Sequence, residues 1–153
     1  MKLYLVQHAK AASKEVDPQR ALTEEGIREI QKIADFIKSL NLSVDYLWHS
    51  RKKRAQQTAE FLAEVITINI EHTSHDGLAP NDDVKVVQNQ IMSMKQDVMI
   101  VGHLPFLSKL TSLLLTGGET SETVAFRNAG IVCLDYTDNQ WQVDWIIIPQ
   151  ILA

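Results

Sequence analysis

Short apolar runs alternate with amphipathic helical patterns along most of the chain, and this alternation constrains the fold more than any other feature. Strand-like patterns cover residues 3–7, 44–49, 66–70, 97–102, 130–136 and 141–147. Helical patterns cover residues 24–40, 54–65, 83–94 and 105–115. The run at 97–102 is nearly all apolar, which is typical of a central strand covered on both faces. The pattern predicts a three-layer α/β/α sandwich with a mostly parallel central sheet, ending in an antiparallel hairpin around residues 137–140.

Length and composition limit the classes of protein to which the chain can belong. The 153 residues suit one domain over 1–153, and the net charge of -4 argues against whole-surface binding to nucleic acid or to an anionic membrane. The apolar runs are far shorter than the roughly 20 residues that span a bilayer. The first strand pattern begins within three residues, which leaves no room for a secretory signal, and Cys133 is the single cysteine. We therefore expect a cytoplasmic protein that acts as a monomer.

Two histidines follow apolar strand patterns and are the first candidates for chemistry. His8 follows the strand at 3–7, and His103 follows the strand at 97–102. The carboxyl ends of parallel strands open into the crevice where ligands bind. An imidazole in such a crevice can serve as a nucleophile, an acid or base, or a donor to an anion. Between them, a cationic turn at 51–54 opens a helix. The sequence therefore predicts a phosphate-binding crevice.

Four motifs in fixed order carry a resemblance to a known family. They are Val6-Gln7-His8-Ala9, the segment from Arg20 to Gly26, the block from Ser50 to Thr58, and Gly102-His103-Leu104-Pro105. Together they resemble the histidine phosphatase superfamily, and most closely its short SixA-type phosphohistidine phosphatases. The resemblance implies a phosphoglycerate-mutase-like fold and a single histidine-phosphatase domain.

The resemblance also implies roles for individual residues. His8 is expected to be the nucleophile that forms a phosphohistidine intermediate, and His103 to be a donor to the phosphate. The phosphoryl transition state spreads negative charge over three oxygens, and Arg20 and Arg54 can offer planar, permanently charged donors to them. The predicted catalytic residues are thus His8, His103 and Arg54. The predicted phosphate-binding residues are Gln7, Arg20, Arg54 and His103.

Gln7 is the main departure from the family pattern, which has an arginine at this position. Charged hydrogen bonds are roughly twice as strong as neutral ones. The loss of one such donor is worth on the order of 10²-fold in rate. Lys10 and Lys52 are the nearby cations that could compensate. A catalytically weakened module that only binds phosphate or a phosphoprotein therefore stays open as an alternative.

The general acid is the second open point. The loop at 76–83 offers Asp82 and Asp83, each of which fits either a weak acid or the N-terminus of the following helix. An alkoxide leaving group needs protonation, since water itself has a pKa of about 15.7. Imidazole is a far better leaving group, since its conjugate acid has a pKa of about 6.5. The absence of a dedicated acid favours a phosphohistidine substrate over the alternative of a small-molecule phosphomonoester.

The resemblance suggests a partner and no cofactor. It points to signal transduction, with the phosphorylated histidine phosphotransfer domain of a sensor kinase as the substrate. His49, His72 and His75 raise the question of a metal. His72 and His75 are three residues apart in a predicted loop, but no clear third ligand accompanies them, so we expect no metal site.

Overall fold

The computed structural model describes residues 1–153 and contains one six-stranded sheet with helices on both faces. The strands are β1 (Lys2–Gln7), β2 (Ser43–His49), β3 (Thr67–Ser74), β4 (Val98–Gly102), β5 (Ile131–Thr137) and β6 (Gln140–Ile147). The helices are α1 (Glu24–Lys38), α2 (Lys53–Ala63), α3 (Val84–Met94) and α4 (Phe106–Thr116), followed by a 3-10 turn at Pro149–Ile151.

The sheet has the strand order β3-β2-β4-β1-β5-β6. The first four of these strands pair in parallel, while β5 and β6 join them as antiparallel strands. One apolar core lies between the sheet and α1 and α2, and a second lies between the sheet and α3 and α4. The predicted three-layer sandwich with a mostly parallel sheet is confirmed. Its central strands β1 and β4 are buried on both faces, which fixes the residues that follow them.

The predicted terminal hairpin is also present. Strands β5 and β6 are joined through Asp138 and Asn139, which have φ angles of 54° and 63°. Asp and Asn tolerate this left-handed conformation better than other non-glycine residues. Two central residues with positive φ give the tight turn whose twist matches that of the flanking strands.

Strand β3 is longer than predicted. The pattern at 66–70 marks only its first part, whereas the strand runs from Thr67 to Ser74. It is an edge strand, and most of its residues are exposed. Polar side chains on an exposed edge leave no hydrophobic signal, so the prediction of a loop at His72 was wrong. The residue lies within β3.

The segment between β1 and α1 is held against the start of that helix. Thr23 caps α1, because its Oγ1 accepts the backbone N–H of Gly26 at 3.0 Å. A β-bridge joins Ala11 to Leu22. A Cβ atom on Gly26 would lie 2.1 Å from the carbonyl oxygen of Lys10. Only glycine permits this approach, and the approach fixes the loop that carries Arg20.

Candidate active site

The two candidate histidines lie side by side at the carboxyl edge of the sheet. Strands β1 and β4 are parallel neighbours with Gln7 opposite Gly102, so the next residue of each strand enters the same crevice. The backbone N–H of His8 donates to the carbonyl oxygen of Gly102 at 3.0 Å. The ring centroids of His8 and His103 are 5.1 Å apart. The parallel topology therefore delivers both imidazoles to one point.

The tautomer of His8 follows from its hydrogen bond to the next residue. Its Nδ1 atom lies 2.7 Å from the carbonyl oxygen of Ala9. A carbonyl oxygen only accepts, so Nδ1 carries the hydrogen and Nε2 keeps a free lone pair. The Ala9 N–H donates to Thr58 Oγ1 at 2.9 Å, and Asn128 Nδ2 donates to the His8 carbonyl oxygen at 2.9 Å. These contacts fix the backbone on both sides of the imidazole.

His103 is oriented by a buried serine at the end of β2. Ser50 Oγ lies 2.6 Å from His103 Nε2 and accepts the backbone N–H of Lys52 at 3.2 Å. The serine hydroxyl hydrogen is thus free to point at Nε2. In that arrangement the hydrogen of the His103 ring is on Nδ1. This Nδ1 is buried and has no hydrogen-bond partner within the protein.

Two arginines complete the group. Arg54 lies in the first turn of α2, is only 9% exposed, and its Nε has no partner within the protein. Arg20 has a φ of 52° and its Nε donates to the carbonyl oxygen of Ala12 at 3.0 Å. A non-glycine residue in this conformation costs on the order of 1 kcal/mol, and such strain is typical of functional positions. Buried donors without partners cost free energy, which an anion with several oxygens would recover.

The pKa values show that both imidazoles are neutral near pH 7. Burial lowers the pKa of His8 to about 4, with Arg54 and Arg20 adding to the effect and the hydrogen bond to Ala9 opposing it. Burial, followed by the neighbouring His8 and Arg54, lowers the pKa of His103 to about 3. Burial and Arg20 also lower the pKa of Arg54. The pocket therefore combines neutral imidazoles with charged guanidinium groups.

Gln7 makes no hydrogen bond to His8, His103 or either arginine. Its side chain lines a separate cleft of about 340 Å³, together with Lys10, Glu29 and Arg127. Its Oε1 atom is buried without a hydrogen-bond partner. Lys10, a candidate for replacing the missing charge, is paired with Glu25 at 2.6 Å. Lys52, the other candidate, lies close enough to the pocket to lower the pKa of His103.

The two candidate acids are engaged in local backbone contacts. Asp82 Oδ2 accepts the N–H of Ala79 at 2.9 Å, and Asp83 Oδ1 caps α3 by accepting the N–H of Lys85 at 3.0 Å. Neither carboxylate is hydrogen-bonded to His8 or His103. The charged groups that shift the pKa of His8 are arginines, with no carboxylate among them.

The remaining histidines lie apart from this group. The His49 and His72 rings meet edge to face at 5.4 Å, and His75 lies against Trp48 at 4.1 Å. Nowhere do three histidine, cysteine or acidic side chains come together in an arrangement that could hold a metal.

Sequence reasoning assigned no role to three residues that contact the site, Ser50, Thr58 and Asn128. Ser50 belongs to a recognised motif and follows β2, so its position at a strand end was a usable signal. Asn128 lies 120 residues from His8, in the segment between α4 and β5. Nothing in the local sequence around Asn128 indicates this contact, because the topology alone creates it.

A parallel α/β sandwich that brings two histidines and two arginines together at the carboxyl edge of its sheet is the architecture of a histidine-dependent phosphatase. Residues 3–79, half of the chain, match the family model of the histidine phosphatase superfamily (branch 1). The chain belongs to that superfamily and is a phosphatase.

Individual relatives are similar to this chain over almost its full length. The chain is 25% identical to phosphohistidine phosphatase SixA of Escherichia coli strain K12, over 94% of this chain and 93% of the relative. A solved structure of the protein histidine phosphatase SixA with tungstate aligns with a TM-score of 0.85 at 22% identity, covering 98% of both chains. A protein assigned as SixA from Agrobacterium tumefaciens aligns with a TM-score of 0.79 at 27% identity, covering 97% of both.

None of the helices combines the length and the apolar character that crossing a membrane requires.

Proposed function

We propose that the protein hydrolyses phosphohistidine on a signalling protein, with His8 as the nucleophile. The observation that carries this proposal is the hydrogen bond from His8 Nδ1 to the carbonyl oxygen of Ala9. It leaves the Nε2 lone pair free, and the low pKa of about 4 keeps the imidazole unprotonated at neutral pH. A nucleophilic histidine needs both properties. The similarity to SixA of Escherichia coli supports the same substrate chemistry.

The reaction proceeds in two displacements. His8 Nε2 attacks the phosphorus of the substrate, a new P–N bond forms, and the P–N bond of the substrate breaks. Water then attacks the phosphorus of the phosphorylated His8, which releases inorganic phosphate and a proton and restores the neutral imidazole. Arg54, Arg20 and Nδ1–H of His103 donate to the oxygens on which charge develops. The lack of protein partners for Arg54 Nε and His103 Nδ1 supports these roles.

The surroundings of His8 favour phosphohistidine as the substrate. A substrate phosphohistidine that is protonated on its other ring nitrogen departs as neutral imidazole, whose conjugate acid has a pKa of about 6.5. It therefore needs no strong acid from the enzyme. Asp82 and Asp83, the candidate acids, are both engaged in backbone hydrogen bonds. Within the signalling proteins, we propose the histidine phosphotransfer domain of a sensor kinase as the substrate.

The experiment compares the wild type with His8→Ala on two substrates, a histidine-phosphorylated peptide and p-nitrophenyl phosphate. The wild type is expected to release phosphate rapidly from the peptide and slowly from the ester, and His8→Ala from neither. Acid quenching and alkaline quenching during turnover are expected to show a phosphoenzyme that is labile in acid and stable in base, and absent from His8→Ala.

Two results would contradict this proposal. Equal rates for the wild type and His8→Ala would remove His8 from the reaction. Binding of inorganic phosphate by the wild type, without turnover of either substrate, would instead identify a binding module weakened by Gln7.

A further inference from the structure

A strongly basic cleft adjoins the phosphate pocket. It encloses about 360 Å³, and six of its eight lining residues are cationic, with no acid among them: Lys14, Arg20, Arg51, Lys52, Lys53 and Arg54. The whole chain has 15 lysines and arginines against 19 acids. More than a third of the lysines and arginines of this acidic protein thus line one cleft. Arg20 and Arg54, whose charges also act on His8, line this cleft, so the cleft borders the pocket around His8.

Most of this charge is not neutralised by the protein itself. Arg51 is paired with Asp76 at 2.6 Å, but Lys14, Lys52 and Lys53 form no salt bridge. Lys53 Nζ makes only a neutral hydrogen bond, to Gln19 Oε1 at 3.2 Å.

The neighbouring loop carries two acids, and neither forms a salt bridge with these lysines. Asp17 lies near Lys53, but its carboxylate accepts the backbone N–H groups of Gln19 and Ala21, both at 3.0 Å. These hydrogen bonds, more than Lys53, lower the pKa of Asp17. The other acid of the loop, Glu15, is exposed and does not line the cleft. Lys14, Lys52 and Lys53 therefore remain available to a partner.

The loop that carries Lys14 also presents an apolar side chain. Ser13 to Asp17 form a turn in which the N–H of Asp17 donates to the carbonyl oxygen of Ser13 at 2.9 Å. Val16, at the exposed side of this turn, is 80% exposed. An exposed apolar side chain beside a cluster of cations is better suited to contact with a protein surface than to binding of a free phosphate.

We propose that this cleft, lined by Lys14, Lys52 and Lys53 beside the shared arginines, docks an acidic surface of the phosphoprotein substrate next to its phosphohistidine. The inference rests on the proposed function and specifies the partner: carboxylates flank the phosphorylated histidine. Complementary charge around an open site raises the rate of encounter and fixes the orientation of the partner. The cleft contains no aromatic side chain on which a base could stack, which argues against nucleic acid as the occupant.

The test uses two histidine-phosphorylated peptides, one with glutamates flanking the phosphohistidine and one with glutamines in their place. The docking variant is Lys14→Glu/Lys53→Glu. The matched control is Lys38→Glu/Lys95→Glu, at exposed positions at the C-terminal ends of α1 and α3, which lead into the starts of β2 and β4 at the edge of the sheet opposite His8. Each pair changes two lysines to glutamates and subtracts the same four units of charge, so net charge alone cannot separate them.

The wild type is expected to show a kcat/KM about tenfold higher for the glutamate peptide than for the glutamine peptide at low salt, with the preference lost at high salt. The docking variant should lose this preference, and the control should keep it. All three proteins should hydrolyse free phosphohistidine at similar rates. In a His8→Ala background, which removes turnover, fluorescence anisotropy should give the same ranking as dissociation constants.

The outcomes separate the two proposals. If neither the peptides nor free phosphohistidine are hydrolysed, the proposed function fails, while the dissociation constants still decide on docking. If both peptides bind equally well, or the control loses the preference as fully as the docking variant, the docking inference is wrong. The docking inference is also wrong if pyrophosphate displaces the glutamate peptide far better than phosphate does from the protein with Lys14 and Lys53, but not from the docking variant. The cleft would then be a second phosphate subsite.

Discussion

Ser50 shows how a single hydroxyl group can set the chemistry of the neighbouring imidazole. The backbone N–H of Lys52 occupies one acceptor position of Ser50 Oγ at 3.2 Å, and His103 Nε2 lies 2.6 Å away. A serine that donates to Nε2 places the ring hydrogen on Nδ1, where it can meet a phosphoryl oxygen. Without the hydroxyl, a neutral His103 is free to carry its hydrogen on either nitrogen.

We expect Ser50→Ala to lower kcat by about tenfold, because one donor to the transition state loses its fixed orientation. KM should change by less than about twofold, since the arginines still bind the phosphate. Ser50→Thr, which keeps the hydroxyl, should recover most of the rate. Steady-state kinetics with a histidine-phosphorylated peptide provide the measurement. If kcat falls equally in both variants and their Tm is also lower, Ser50 has only a structural role.

Gln7 gives a second prediction for a single residue. It stands where the family has an arginine, and its Oε1 is buried without a partner. Gln7→Arg is expected to raise kcat by about tenfold, because a longer and charged side chain at the end of β1 adds a donor that the amide, which makes no hydrogen bond to the pocket, does not supply. The matched control is Gln7→Met, which keeps the length of the side chain and removes its donors, and it should show no gain. The same peptide assay distinguishes them. A Gln7→Arg variant no faster than wild type would show that another cation, such as Lys52, already supplies this charge.

At the level of elements, the junction between α1 and the preceding loop positions Arg20. A methyl group on Gly26 would meet the Lys10 carbonyl oxygen at 2.1 Å, so the loop or the helix must move. Gly26→Ala is therefore expected to cost about 1–3 kcal/mol of stability, as overpacking does elsewhere. It should also lower kcat/KM, because Arg20 shifts away from the pocket. Urea unfolding and the peptide assay measure both effects.

The control for this change is Gly118→Ala. A Cβ atom at Gly118 meets nothing within 4 Å, and its backbone does not need glycine. Its stability and activity should match those of the wild type. A Gly26→Ala protein that is equally unaffected would show that the loop yields without cost.

The elements also show which parts of the fold a sequence can predict. Strands β1 and β4 are buried on both faces, so their sequences are continuous apolar runs that a pattern analysis recognises as strands. This recognition was enough to predict that His8 and His103 follow strand ends. The second half of β3 lies on an exposed edge and carries polar residues, so no pattern marked it. The bond between Asn128 and His8 joins residues 120 positions apart. Such contacts depend on the path of the chain between them, which local patterns do not encode.

For the whole molecule, burying two imidazoles links stability to pH. His8 and His103 have pKa values of about 4 and 3 in the folded protein, against about 6.5 for an unfolded chain. Between pH 6.5 and 4 the unfolded chain therefore binds protons that the folded protein does not. The free energy of unfolding must then fall as pH falls through this window. Burial also lowers the pKa of His72, which acts in the same direction.

We expect the Tm of the wild type to drop by at least about 5 °C between pH 7 and pH 4.5, since one kcal/mol shifts the Tm of a chain of this size by about 2–4 °C. Carboxylates such as Asp17 and Asp76, whose pKa values are lowered by hydrogen bonds, lose their contribution mainly at lower pH. Calorimetry of the wild type and of His8→Gln/His103→Gln across this range provides the test. The Tm of the variant should depend clearly less steeply on pH, because the two titrating groups are gone. If Tm falls equally steeply with pH in both proteins, the acid sensitivity arises from other groups. The two imidazoles would then be less deeply desolvated than their burial indicates.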